Sequence, residues 1–250
     1  MAVLFGVDDD GNAIGIGNAK EACFSIENKI NDSLSPVPDY SLSVNDRTGV
    51  ITLTVRKGLS KPYLYRAKAY RRSDAASIEA DRLELRRLVL EGQDLTFDAL
   101  PSRESELSFS LLESWMQDVL GVETLSDDIR RTLELMDDKG SYTVAGELLA
   151  DVDGFPGVDI ARFGDSIGIF LDRETLTHCS ILGQYDAALA LFGKCCKYEK
   201  VEGSTRNTYE LVPESAFHEA LANALAHRTW DVDANARVAM CQDRVEITSP

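Results

Sequence analysis

Between Pro213 and Arg228 the sequence leaves room for little but a helix: Pro-Glu-Ser-Ala-Phe-His-Glu-Ala-Leu-Ala-Asn-Ala-Leu-Ala-His-Arg. Proline suits a first helical turn, and alanine has the highest helix propensity. Phe217, Leu221 and Leu225 recur every four residues as one apolar stripe. Glu219, Asn223 and His227 recur with the same step, roughly 200° around the axis from that stripe. Strand signals flank the helix over 208–211, 236–241 and 244–248, the last two forming a hairpin about Gln242-Asp243. A helix embedded among strands predicts an α+β layer fold.

The chain as a whole divides into three stretches. Over 1–93, apolar runs at 3–7 and 13–16 flank Asp8-Asp9-Asp10-Gly11-Asn12 and predict a hairpin. An amphipathic helix follows over 20–33, stopped by Pro36 and Pro38. Strands are expected over 40–45, 50–55 and 63–70, then a charged helix over 75–90. The stretch 94–183 reads as a mixed, mostly helical connector. It has helices over 109–120, 126–136 and 142–150 and strands over 158–163 and 167–171. The last stretch, 184–250, opens with a helix over 184–192 and contains the Pro213 helix.

Charge narrows the function classes. The 250 residues carry 26 Lys and Arg against 42 Asp and Glu, a net of −16. Such a surface repels nucleic acid and anionic membranes on average. The average hides one segment, 56–72, which reads RKGLSKPYLYRAKAYRR. It holds Arg56, Lys57, Lys61, Arg66, Lys68, Arg71 and Arg72 with three tyrosines and no acid, so the other residues carry a net of −23. This is the place for a polyanion such as DNA to bind. The plain alternative is a solvated edge strand guarded by cations.

No apolar run approaches the length of a transmembrane helix, so no membrane partner is expected. The start resembles no signal peptide, and the five cysteines form no CxxC pair. A reduced, cytoplasmic chain is the expectation. Other motifs fall away. The Asp8–Asn12 run lacks the glycine and glutamate of a calcium loop. Gly15-Ile16-Gly17 lacks the third glycine of a dinucleotide turn. His178, His218 and His227 complete no zinc set with a cysteine pair.

The Glu219/Asn223/His227 row reads either as a solvated helix face or as nucleotide chemistry. A glutamate one turn before an asparagine can orient a water while the amide oxygen ligates magnesium. Together with Asp243-Arg244-Val245-Glu246-Ile247-Thr248-Ser249-Pro250, this helix resembles the RecG-like C-terminal ATPase family. That family is related to the GHKL ATPases, whose N-box has the same Glu-x-x-x-Asn step. Phe5-Gly6-Val7-Asp8-Asp9-Asp10-Gly11, the run from Val55 to Tyr63 and Tyr70-Arg71-Arg72 are similar to the Schlafen-type AlbA-like DNA-binding domain. Tyr142 to Leu149 fits the segment joining the two.

The resemblance implies a DNA-binding transcriptional regulator of bacterial or archaeal type. It would comprise an AlbA-like mixed-sheet domain over 1–93, a connector over 94–183 and a partial GHKL-like α/β module over 184–250. It implies Glu219 as a water-orienting base, Asn223 as a magnesium ligand and Asn223 and His227 as nucleotide-binding residues. The seven cations of 56–72 become phosphate contacts. The family's first strand–helix unit is missing before Met1, and its Asp-x-Gly segment and lid would lie beyond Pro250. The expectation is therefore no appreciable ATP hydrolysis by this chain, with ATP and magnesium relevant to a longer protein and none tightly bound here. The alternatives are an ATP-dependent switch or helicase-associated ATPase, or a homo-oligomeric assembly module.

Overall fold

A computed structural model describes residues 1–74, 76–202 and 205–250. Helices and strands are both abundant, and the fold is α+β. The chain forms two compact units, 1–96 and 97–250.

The first unit contains β1 (Ala2–Phe5), α1 (Ala19–Ser33), β2 (Leu34–Ser35), β3 (Tyr40–Val44), β4 (Ile51–Val55), β5 (Leu64–Tyr65), β6 (Tyr70–Ser73), β7 (Ala76–Glu79) and α2 (Arg82–Gly92). An antiparallel sheet runs β1-β4-β3, with Val3 opposite Leu53 and Leu42 opposite Leu53 on the other side. Asn18 caps α1 by accepting from the Glu21 N–H, and Asp81 caps α2 by accepting from Glu84.

Three expectations change in this unit. The hairpin over 3–7 and 13–16 shrinks to one bridge, Val7 to Ala13, because β1 takes β4 as its partner. Residues 14–16 instead cross the 45–49 turn, where Ile16 N–H donates to the Gly49 carbonyl at 3.0 Å. A side chain on Gly15, whose φ is +69°, would meet the Thr48 carbonyl at 2.3 Å. The strand expected over 63–70 is cut in two by a tight turn, since Arg66 and Ala67 have φ of 49° and 65°. The helix expected over 75–90 begins only at Arg82. Residues Ala76–Glu79 pair with β6, and Ala75 lies outside the described residues.

The second unit contains α3 (Ser110–Leu120), α4 (Asp127–Thr132), α5 (Val144–Leu149), β8 (Val158–Phe163), β9 (Phe170–Leu176), α6 (Ile181–Cys195), β10 (Lys197–Glu202), β11 (Thr205–Glu210), α7 (Glu214–Ala226), β12 (Ala236–Met240) and β13 (Val245–Thr248). Its main sheet runs β13-β12-β8-β9, with β8 and β12 parallel and the other pairs antiparallel. β8 and β9 lie before the 183/184 boundary drawn from sequence, and they share this sheet with strands that lie after it.

The parallel pair needs a crossover, and α6 and α7 lie within it. Their apolar stripes close the core. Ala188, Leu191 and Phe192 of α6 and Phe217, Leu221 and Leu225 of α7 pack with Val158, Ile160, Val238 and Met240 of the sheet. The Phe192 and Phe217 rings stack 4.1 Å apart. A second cluster gathers Phe109, Leu112 and Met116 around Leu125, Leu135 and Ala150. α3 starts without a local cap; the Asp151 carboxylate, forty residues on, accepts from the Ser110 and Leu111 N–H groups at 2.9 Å each. No described helix is long and apolar enough to cross a membrane.

Candidate nucleic-acid interface and the α7 row

The basic segment begins just after β4 and runs through β5 and the Arg66-Ala67 turn into β6. It is contiguous in sequence, but the fold answers most of its charge. Arg56 pairs with Asp39 at 3.1 Å, Lys68 with Glu79 at 2.7 Å and Arg71 with Glu84 at 3.2 Å, and Lys61 pairs with Glu91. The hydrogen bond to Glu79 and its charge hold the Lys68 ammonium above its ordinary value. These carboxylates come from β7, α2 and the approach to β3, outside the segment itself. The acid-free window of the sequence is therefore not an acid-free surface.

Three cations have no carboxylate partner among the described residues. Lys57 is exposed. Arg66 sits at the turn with its guanidinium 5.3 Å from the centre of the Tyr65 ring, and its backbone N–H donates to the Ser33 carbonyl at 2.9 Å. Arg72 donates from Nε to the Asp74 carbonyl at 3.1 Å. Tyr65 and Tyr70 pack edge to face with ring centres 6.4 Å apart, and both remain exposed. Charge also divides between the units. Residues 1–96 carry thirteen basic and fourteen acidic groups, net −1, and residues 97–250 thirteen basic and twenty-eight acidic, net −15.

Residues 2–81 match the Schlafen, AlbA_2 family. All seven cations lie inside the AlbA_2 segment, as does every residue of β1 to β7. The crystal structure of the DIP2311 protein from Corynebacterium diphtheriae aligns with 100% of this chain and 52% of its own, with a TM-score of 0.52 and 19% identity. The chain thus spans about half the length of that protein, and the likeness is one of fold. No curated protein is significantly similar in sequence.

On α7 the two rows separate as their spacing requires. Phe217, Leu221 and Leu225 are buried, and Glu219, Asn223 and His227 are exposed. The carboxylate of Glu219 and the amide of Asn223 have no partner among the described residues. They share one face of α7 with each other, and the cations of 56–72 belong to the other unit. Among the described residues no group of three or more His, Cys, Asp and Glu side chains is placed to hold a metal ion.

Sequence reasoning missed a different group. Glu147, Asp153 and Arg228 are 7%, 5% and 4% exposed, so three formal charges lie in the interior of the second unit. Arg228 donates to the Pro156 and Gly157 carbonyls at 2.9 and 3.0 Å and to the Ala234 carbonyl, and stacks 4.3 Å over Trp230. Glu147 accepts from the Ser102 hydroxyl at 2.6 Å and from the Gly154 N–H at 3.3 Å. Asp153 accepts from the Phe155 N–H at 2.9 Å through Oδ1, while its Oδ2 is buried without a partner. The only local signal is the Asp153-Gly154-Phe155-Pro156-Gly157 run, which reads as an ordinary turn.

Proposed function

We propose that this chain is a DNA-binding regulatory protein that grips phosphate through Lys57, Arg66 and Arg72 of its AlbA_2 segment. The observation that carries this reading is the set of three cations that have no carboxylate partner among the described residues, in an otherwise neutralised segment. Their neighbours Tyr65 and Tyr70 supply exposed aromatic surface beside the phosphate track. A unit of net −1 tolerates DNA, whereas the unit of net −15 repels it, so contact is confined to one face. The test is fluorescence anisotropy of a labelled duplex at 50 mM salt. Binding that is lost in a Lys57/Arg66/Arg72→Ala variant supports the reading, and an unchanged affinity refutes it.

A second reading concerns α7. Glu219 and Asn223 stand one turn apart, exposed and without a partner among the described residues, which suits a water-orienting carboxylate and an amide oxygen for magnesium. Magnesium needs few protein ligands, so the lack of a larger cluster is compatible with it. In a longer protein ATP would supply the phosphoanhydride bond, and these residues with His227 would face it. Magnesium-dependent ATP hydrolysis by an extended chain, abolished in Glu219→Ala, is the expected result.

Assembly is favoured by the burial in the first unit. Among the described residues only Ile51, Leu53 and Ala69 are buried apolar residues there, while Val3, Leu4, Phe24 and Leu59 are among the large apolar side chains left exposed. Apolar surface on that scale favours association with a second copy. Sedimentation velocity across a hundredfold concentration range should show mass rising with concentration, and a constant monomer mass rejects this role.

A further inference from the structure

Helix α5 and three loops bring the buried charges and their neighbours together: the loop between α5 and β8, the one between β9 and α6, and the one after α7. The groups facing Asp153 come from each of them. Glu147 projects from α5, the Phe155 N–H from the aspartate's own loop, His178 and Cys179 from the loop before α6, and Arg228 from beyond α7. The His178 Nδ1 also lies 3.2 Å from the Asp153 carbonyl oxygen. Arg228 is committed to the carbonyls of Pro156, Gly157 and Ala234, and its Nε, like Asp153 Oδ2, is buried without a partner. An ionised carboxylate with one bare buried oxygen, beside a second carboxylate, is poorly matched to this interior. The neutral acid fits it better.

We propose that Glu147, Asp153 and Arg228 form a proton-operated latch, in which a proton on the Asp153 carboxyl holds the 153–157 loop closed on Arg228 and loss of that proton loosens it. The loop carries the two carbonyls that Arg228 grips and leads directly into β8. Gly157 N–H donates to the Asn235 side chain at 3.0 Å, so the same loop also ties down the approach to β12. Opening it frees the end of α7, two residues beyond Ala226, together with the exposed row that α7 carries. The protonation of one buried acid is thereby tied to the setting of that helix.

Burial pushes the Asp153 carboxyl up from the ordinary 3.8 to about 6; the Phe155 N–H lowers it, Glu147 raises it further, and His178 and Arg228 pull it down only in part. The closed state therefore holds the proton more tightly than the open one. The closed state is favoured below the ordinary value, and its advantage shrinks as pH rises through the interval between 3.8 and about 6. The opening constant should rise about tenfold per pH unit there, about a hundredfold in all, and level off above it.

Native-state hydrogen exchange on the full chain reads this directly. After correction for intrinsic rates, protection of the Phe155 and Gly157 amides should fall about a hundredfold between pH 4 and pH 7 and should be flat in Asp153→Asn. Should that variant fail to fold, the 13C resonance of the Asp153 carboxyl in the wild-type chain gives the same answer. A midpoint near 6, moving lower in Glu147→Gln, supports the latch. A midpoint at or below 4, or pH-independent protection in the wild type, overturns it.

Discussion

The salt dependence of DNA binding distinguishes a basic segment read in sequence from the same segment read in the fold. Each phosphate contact with duplex DNA contributes about 0.9 to the slope of log K against log salt. Seven contacts would give a slope of about 6.3, and three about 2.7. From 50 to 200 mM salt, that is a loss of affinity of roughly 6,000-fold against roughly 40-fold. The fold predicts the smaller figure. Arg56, Lys61, Lys68 and Arg71 each have a carboxylate at hand, and those carboxylates would repel an approaching phosphate even if the ion pair opened. The assay is anisotropy of a labelled duplex at four salt concentrations. The wild type is compared with Lys57/Arg66/Arg72→Ala and with Arg56/Lys61/Lys68/Arg71→Ala. The triple variant should lose most of the slope and the quadruple variant little of it. A wild-type slope near 6, or the reverse ranking of the variants, would refute the reasoning by showing that the ion pairs are exchanged for phosphates.

Other perturbations test the scaffold. Although burial raises the Asp151 carboxyl, the Leu111 and Ser110 N–H groups bring it below its ordinary value. Asp151→Ala should cost about 0.5–2 kcal/mol in chemical denaturation at pH 7. That contribution is present above the ordinary 3.8 and fades as pH falls through the lower native value, so the variants should converge in strong acid. Leu221→Ala in the α7 core should cost about 2–5 kcal/mol, whereas Glu219→Ala on the opposite face should stay within about 0.5 kcal/mol. At the hairpin turn, Ala67→Gly relieves a left-handed residue and should raise stability by about 0.5–1 kcal/mol, read as a higher denaturation midpoint.

What was legible in the sequence was whatever local periodicity encodes. α1, α7, β3, β4 and the β12–β13 hairpin appear where apolar spacing and turn residues put them. β9 was displaced, expected at 167–171 and found at Phe170–Leu176, because Asp172, Arg173 and Glu174 lie on an exposed edge that no apolar alternation marks. The break at Arg66-Ala67 was hidden because neither residue type favours a positive φ. The cations of 56–72 were visible as a composition, but their partners at 39, 79, 84 and 91 lie outside the window. Arg228 next to Asp153 was invisible for the same reason: seventy-five residues separate them, and only burial makes their charges consequential.

The parallel pairing of β8 with β12 also sets an order of events. Val158 aligns with Ala236, so the centre of the main sheet joins positions seventy-eight residues apart. On a ribosome, β8 and β9 emerge and can pair at once as a hairpin, yet the face bearing Val158 and Ile160 has no cover until α6 and α7 follow. Closing so long a loop before its contacts form is slow. The second unit therefore completes last, and until residue 240 clears the exit tunnel its apolar hairpin face is the surface for which a chaperone would compete.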